Sequence, residues 1–484
     1  MNPHLPSLGG FKEKSRSRFT LAGSSLAGGF SILGLLVPPL YALLLTGFPL
    51  ISPLSQILGV DSRSVSIPYR LVYLALSLLV ILWGFDRHRY FTGHIWAVIL
   101  PFWCLLIFRM VSDLTTNPSG LAGLSPGATA SATEAYEWTG GVVLIPMLAF
   151  GVIPTKKMLQ LGERLMFALL CASSLLLLYF GWGGAVSQQI GRLSAGSLGA
   201  ISVGHVGASL LMLSLLMAVH LRHKRAWMLL LPSGLLGFFL LLAADSRGPQ
   251  LATAIFFALY TLIRKKGWKL WAGLALATVL LFYSTSISVE FIENNSTIKV
   301  FGRWSQDKVD VAGSSSGTRV MIMESAWNEF LRAPVLGSTW VEPNTLSYPH
   351  NIAVESLMAT GIIGGCLLCL MVGVSASRAV LIIRKHPEVT WIAALYIQSL
   401  VLSMTSGGLY VDPEFWAWSL AVIIAYRVYA GKVTANRPGN HYSTVSHWQP
   451  ESKAAFGRDR GSLRRRGKYA NSYCQDIKYA LPVN

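Results

Sequence analysis

The sequence predicts an all-α fold, a polytopic bundle of about twelve transmembrane helices. Three observations predict it. Of 484 residues, 52% are hydrophobic and only 13% charged, whereas an average soluble domain carries about 25% charged residues. Apolar runs of the length that crosses a bilayer, about 17 to 25 residues, recur along most of the chain. Basic residues fall between those runs, at alternate connections.

The first four runs centre near Leu36, Leu76, Leu100 and Leu144, and the next four near Leu175, Leu210, Leu236 and Phe256. The last four centre near Leu276, Cys366, Ile397 and Ile423. Pro38, Pro39, Pro101 and Pro146 fall inside runs, which membrane helices tolerate when neighbours satisfy the freed backbone groups. Residues 1–25 carry Lys12, Lys14, Arg16 and Arg18 ahead of an apolar run without a small-residue cleavage site, so the first helix is expected to be retained. Five scattered cysteines give no disulfide or zinc spacing, and Cys366 and Cys369 are assigned to helix packing.

With the amino terminus inside, the inner connections receive Arg87 and Arg89, Lys156 and Lys157, Arg222, Lys224 and Arg225, Arg264 to Lys266, then Arg384 and Lys385. The outer side holds isolated Arg63, Arg109, Arg192 and Arg247 and one long connection, about residues 286–349, between helices nine and ten. This bias is the positive-inside pattern. It accounts for most of the +18 net charge as topology, which speaks against a nucleic-acid partner. Both termini are then cytoplasmic, the transmembrane domain covers residues 26–430, and residues 431–484 form a basic tail with too little apolar content for a core. Within the outer connection, Arg319 to Leu331 has Val320, Ile322, Met323, Ala326, Trp327 and Phe330 at helical spacing, and is expected to lie on the membrane surface.

No Asp or Glu is expected at mid-span, which argues against a proton-coupled transporter. Charged residues gather instead at the outer ends of helices. Arg247 lies in the short turn Asp245-Ser246-Arg247-Gly248-Pro249; it reads either as an interfacial arginine snorkelling to headgroups or as a guanidinium for a lipid diphosphate. His350, in Tyr348-Pro349-His350-Asn351, opens helix ten at the outer mouth of the bundle. Alone it reads as a capping or interfacial residue.

The order of motifs resembles the O-antigen ligase and polymerase superfamily, which includes O-antigen ligases, Wzy-type polymerases and exopolysaccharide polymerases. The resemblance rests on His350-Asn351 followed by Gly361-Ile362-Ile363-Gly364, on Ser246-Arg247-Gly248, and on Gly317-Thr318-Arg319 with Pro334-Val335-Leu336-Gly337. Arg192 in the preceding outer loop matches a position often basic in that family, and Tyr348 stands where many relatives carry a second histidine.

The resemblance implies an enzyme of the bacterial inner membrane, acting on its outer face in lipopolysaccharide, O-antigen or exopolysaccharide assembly. It would transfer a glycan from undecaprenyl diphosphate to a sugar hydroxyl, either of lipid A core or of a second lipid-linked unit. His350 then acts as general base and Arg247 and Arg319 stabilise the departing diphosphate; Arg192, Asn351 and Tyr348 contact substrate. No nucleotide loop or metal cluster appears, so no cofactor and no metal are expected. A lipid-linked glycan flippase and a non-catalytic assembly protein are the other classes consistent with the topology.

Overall fold

The computed structural model describes residues 32–60, 62–86, 90, 93–116, 137–182, 193, 198–220, 226–244, 246–264, 315–343 and 348–431. Outside them lie the expected ninth span near Leu276, most of the connection 286–349, Arg192, Asp245, several basic inner segments, residues 1–25 and the tail from 432 onward.

Helices α1 (Ile32–Leu58), α2 (Ser62–Asp86) and α3 (Trp96–Thr116) come first. A π-helical turn, Glu137–Leu144, then runs into the short α4 (Ile145–Ala149). Pro146 has no N–H to close a bond onto the preceding turn, and the helix widens just upstream of it. Then follow α5 (Lys156–Trp182), α6 (Ala200–His220), α7 (Trp227–Ala243) and α8 (Arg247–Arg264). After the undescribed stretch come α9 (Ser315–Arg332), α10 (Ile352–Lys385), a 3-10 turn at Pro387–Val389, α11 (Thr390–Thr405) and α12 (Pro413–Tyr429). Among the described residues no strand forms; Tyr90 and Val152 make an isolated antiparallel bridge.

Seven of these helical stretches are long and apolar enough to cross a membrane, namely those of α1, α2, α3, α5, α6, α10 and the 3-10 turn with α11. The chain is a helical membrane protein. The segments expected near Leu144 and Leu236 are shorter apolar helices, Thr139–Ala149 and Trp227–Ala243.

Small residues set the tightest crossing. A Cβ on Gly207 of α6 would lie 2.6 Å from the Leu241 nitrogen of α7, and one on Gly237 would lie 2.7 Å from the Leu211 nitrogen. Only hydrogen at both positions lets the two backbones touch, the usual means of helix association where lipid is as apolar as the side chains. Elsewhere large rings fill the core: Tyr41, Phe150, Trp391 and Trp418 meet around one centre, and Phe102, Trp103 and Trp416 around another. Cys366 and Cys369 do not pack in the bundle; both are exposed on α10, whose inward face is taken by Gly364, Gly365 and Leu368.

The two ends of the bundle differ in charge. At one end Lys156 lies over the Tyr429 ring, 4.8 Å from its centroid, and His386 sits 5.8 Å from the same ring. The 34 residues of α10, broken at Gly361, run from the end carrying His350 to that basic end. Helix α9 packs on α10 at the His350 end. Of its apolar residues only Ile322 and Ala326 are buried, while Val320, Met321, Met323 and Trp327 are exposed, so the face expected to be continuous is split between the bundle and its surroundings.

Candidate functional site

The site is organised by a break in α10. Gly361 leaves helical geometry, with φ 63° and ψ −163°, a region that L side chains rarely adopt. The break frees backbone groups, and the turn after α9 takes them up: Ile362 donates to the Pro334 carbonyl at 2.8 Å, and Ser338 donates to the Met358 carbonyl at 2.9 Å. A Cβ on Gly361 would collide with the Val335 carbonyl, and one on Gly337 would stand 2.5 Å from the Ala359 carbonyl carbon. The Pro334-Val335-Leu336-Gly337 and Gly361 motifs are thus two halves of one backbone joint. It fixes α9 on α10.

Arg109 closes the same joint from α3. Its Nη2 donates to the carbonyls of Gly337 (2.6 Å) and Leu336 (3.2 Å), and its Nη1 to that of Ser338 (3.1 Å). Asp113, one helical turn on, accepts from the Trp340 N–H at 2.9 Å. Arg109 was expected only as an isolated outer arginine.

Ahead of the break, Asn351 caps α10: its Oδ1 accepts from the N–H groups of Ala353 (3.0 Å) and Val354 (3.2 Å). Its Nδ2 donates to the Met404 carbonyl at 3.0 Å. His350, before the cap, has φ 55°, the one positive value at a non-glycine residue among the described residues. Such a backbone costs about 1–3 kcal/mol and persists where surroundings impose it. Here Nδ1 meets the Ser406 carbonyl at 3.3 Å, and the Tyr348 ring packs edge-on with centroids 4.5 Å apart.

Arg319, in the second turn of α9, donates from Nη1 to the Thr405 carbonyl (3.3 Å) and to Ser406 Oγ (3.4 Å). Three consecutive residues at the end of α11, Met404, Thr405 and Ser406, therefore receive Asn351, Arg319 and His350 respectively. The carbonyls at a helix C-terminus carry partial negative charge, which suits a guanidinium. Arg247 is the first residue of α8, and a Cβ on its neighbour Gly248 would lie 3.3 Å from Thr405 Oγ1, so the α8 start packs on the same segment. Tyr348 lies over Gly408, whose added Cβ would be 2.8 Å from the ring.

Burial lowers the pKa of His350 from its ordinary 6.5; the Ser406 carbonyl opposes this and the Arg319 charge adds to it. Burial raises Tyr348, assisted by the charges of Glu355 and Asp412. Asp412, the cap of α12, is pushed up to about 6 by burial, against the pull of Ser403 and of the Phe415 N–H. Among the described residues no group of three His, Cys, Asp or Glu side chains is placed to hold a metal ion.

The sequence reading missed the acceptor segment Met404–Ser406, since backbone carbonyls carry no residue signature; the Gly407-Gly408 turn and the Asp412-Pro413 helix start are the local signals that a helix ends there. It also missed a buried polar group within the bundle. His205 of α6 shares Gln398 of α11 with Ser209: Gln398 Nε2 lies 2.8 Å from His205 Nδ1, and Ser209 Oγ donates to Gln398 Oε1 at 2.9 Å.

These features define a polytopic helical membrane protein with arginine and histidine side chains gathered at one end of its bundle. Residues 232–369 match the family model described as O-antigen ligase, so this stretch of the chain is similar to that family. The matched stretch contains Arg247, Arg319 and His350, and stops before Met404–Ser406. No curated protein and no solved structure matches the chain.

Proposed function

We propose that the protein is a glycan transferase of the inner membrane that moves a glycan from undecaprenyl diphosphate to an acceptor sugar hydroxyl on the outer face. The observation that carries this reading is the meeting of Arg319 and His350 on adjacent residues, Thr405 and Ser406. The reaction needs a base and a diphosphate-binding cation that both reach the surroundings of one anomeric carbon.

The Ser406 carbonyl accepts only from a protonated Nδ1, which leaves the Nε2 lone pair of His350 as the base. The acceptor oxygen bonds to the anomeric carbon as its proton passes to Nε2. The bond from that carbon to the diphosphate oxygen breaks, and the electron pair leaves with the diphosphate. Charge grows on the leaving group in the transition state, where Arg319 and Arg247 act. Arg192 is assigned a further contact to the diphosphate or glycan, and Asn351 and Tyr348 line the acceptor side. An apolar cavity of about 390 Å³ between α8, α10 and α11, lined by Leu251, Ile255, Leu259, Ile383 and Leu400, reaches Thr405; a prenyl chain suits it.

The test uses purified protein in lipid nanodiscs with lipid-linked glycan extracted from a strain lacking the gene. Wild type consumes the donor, with chelator present or absent, and His350→Ala does not; normal turnover by H350A at normal abundance overturns the reading. In the deletion strain, free lipid-linked polymer without core-attached glycan indicates a ligase, and single repeat units alone indicate a polymerase.

A further inference from the structure

The loop between α11 and α12, Ser406–Asp412, ends the segment on which Asn351, Arg319 and His350 converge, and something must hold it in register with α10. Side-chain hydrogen bonds attach it to its own flanks. Asp412 Oδ2 accepts from Ser403 Oγ, and Trp416 Nε1 donates to the Leu409 carbonyl at 2.8 Å. Neither reaches α10. The tie that does comes from Glu355, wholly buried four residues beyond Asn351, whose Oε2 accepts from the Leu409 N–H at 2.9 Å. A carboxylate side chain is among the residues least often fully buried without a specific partner, and this one spends an oxygen on a single loop amide.

We propose that Glu355 is a positioning residue for the transfer reaction: by holding the Leu409 amide it keeps the Ser406 carbonyl against His350 and the Thr405 carbonyl against Arg319. The inference rests on the reading of His350 as the base. Glu355 touches none of the reacting atoms. It sets the angle at which the start of α10 presents its histidine, because the short segment from His350 to Glu355 carries all three side chains and contacts Ser406, Met404 and Leu409 in turn.

The pH profile separates positioning from simple support. His350 is faced by Arg319 from α9 and Tyr348 from its own segment, and Tyr410 and the charges of Glu355 and Asp412 act in turn on Tyr348. The Ser406 carbonyl favours the protonated ring, and Arg319 disfavours it. Release of the loop withdraws that carbonyl, so the acidic limb of the rate moves to lower pH. A merely weakened fold lowers the rate at every pH without moving the limb.

In the nanodisc assay Glu355→Ala is expected to lose about tenfold or more of the rate, the effect of one buried hydrogen bond. Its acidic limb moves down, and amide exchange across residues 406–412 speeds up. Glu355→Gln keeps a carbonyl oxygen for the Leu409 N–H, and is expected within about threefold of wild type with unchanged exchange. If E355A does not accumulate, Glu355→Asp, drawn back by one methylene, takes its place with the same expectation. The proposal is overturned by wild-type rate and exchange in E355A or E355D, or by E355Q as inactive as E355A with a quiet loop. H350A inactive beside a fully active E355A sinks this proposal alone, whereas an active H350A removes the transferase reading beneath it.

Discussion

Gly337 and Gly361 face each other across the joint between α9 and α10, each with its backbone in the left-handed region and each set against the other segment's main chain. Alanine at Gly361 meets two penalties, about 1–3 kcal/mol for a backbone region essentially restricted to glycine and the collision with the Val335 carbonyl. Gly361→Ala and Gly337→Ala are therefore expected to lower the melting temperature of the purified protein by several degrees and to cut its membrane abundance. Gly373→Ala, where an added Cβ meets nothing within 4 Å, serves as the control and should melt like wild type or slightly above it, since alanine favours helix by about 1 kcal/mol.

Arg109 holds three successive carbonyls, at Leu336, Gly337 and Ser338, from a helix far away in sequence. Arg109→Lys keeps the charge but offers a compact ammonium in place of a planar fork. Both R109K and Arg109→Ala are expected to loosen the joint, seen as faster amide exchange across residues 334–340, with the larger effect for alanine. Equal protection in R109A and wild type would show that the glycine joint holds without it.

The architecture was legible where physics acts locally. Hydropathy marked the helices, basic residues marked the ends, and the helix boundary at His350-Asn351 followed from a polar cap before an apolar run. The fate of each motif was less legible. Arg109 reads in the sequence as an isolated outer arginine and Arg319 as part of the Gly317-Thr318-Arg319 motif on the same side. One ties a loop to a helix and the other reaches the segment where His350 sits; only the fold assigns them. The glycine pair Gly337 and Gly361 appeared as part of a motif with chemistry nearby, whereas its role is close approach of two backbones. The acceptors for Asn351, Arg319 and His350 are main-chain carbonyls at the end of α11, and any sequence that ends a helix there supplies them.

The pair His205 and Gln398 tests how the interior of the bundle holds polar groups. Gln398→Leu removes the partner of a buried imidazole and of Ser209, leaving donors and acceptors unpaired at a cost of about 1–3 kcal/mol. His205→Leu alone is milder, since Gln398 keeps the His205 backbone carbonyl and Ser209 as partners. Replacing both at once removes the buried imidazole together with its partner, so the double variant is expected to melt above Gln398→Leu. A strictly additive loss in the double variant would mean that the two residues act independently.

The acidity of His350 makes the last prediction. A base works only when neutral, so the rate falls as pH drops through its pKa. Burial holds that pKa below 6.5, and the Arg319 charge lowers it further. The acidic limb of kcat/KM for wild type is therefore expected below the ordinary histidine range, keeping the protein active in mildly acidic surroundings. In Arg319→Gln one cause of the lowering is gone, so the limb should move to higher pH. The same variant loses a cation beside the departing diphosphate and should fall about 100-fold or more in kcat/KM, in keeping with the loss of one charge-stabilising donor. Rate and limb thus respond together at one residue. An R319Q profile with the wild-type limb would place the guanidinium too far from the imidazole to act on it during turnover, and an undiminished rate would remove Arg319 from the diphosphate.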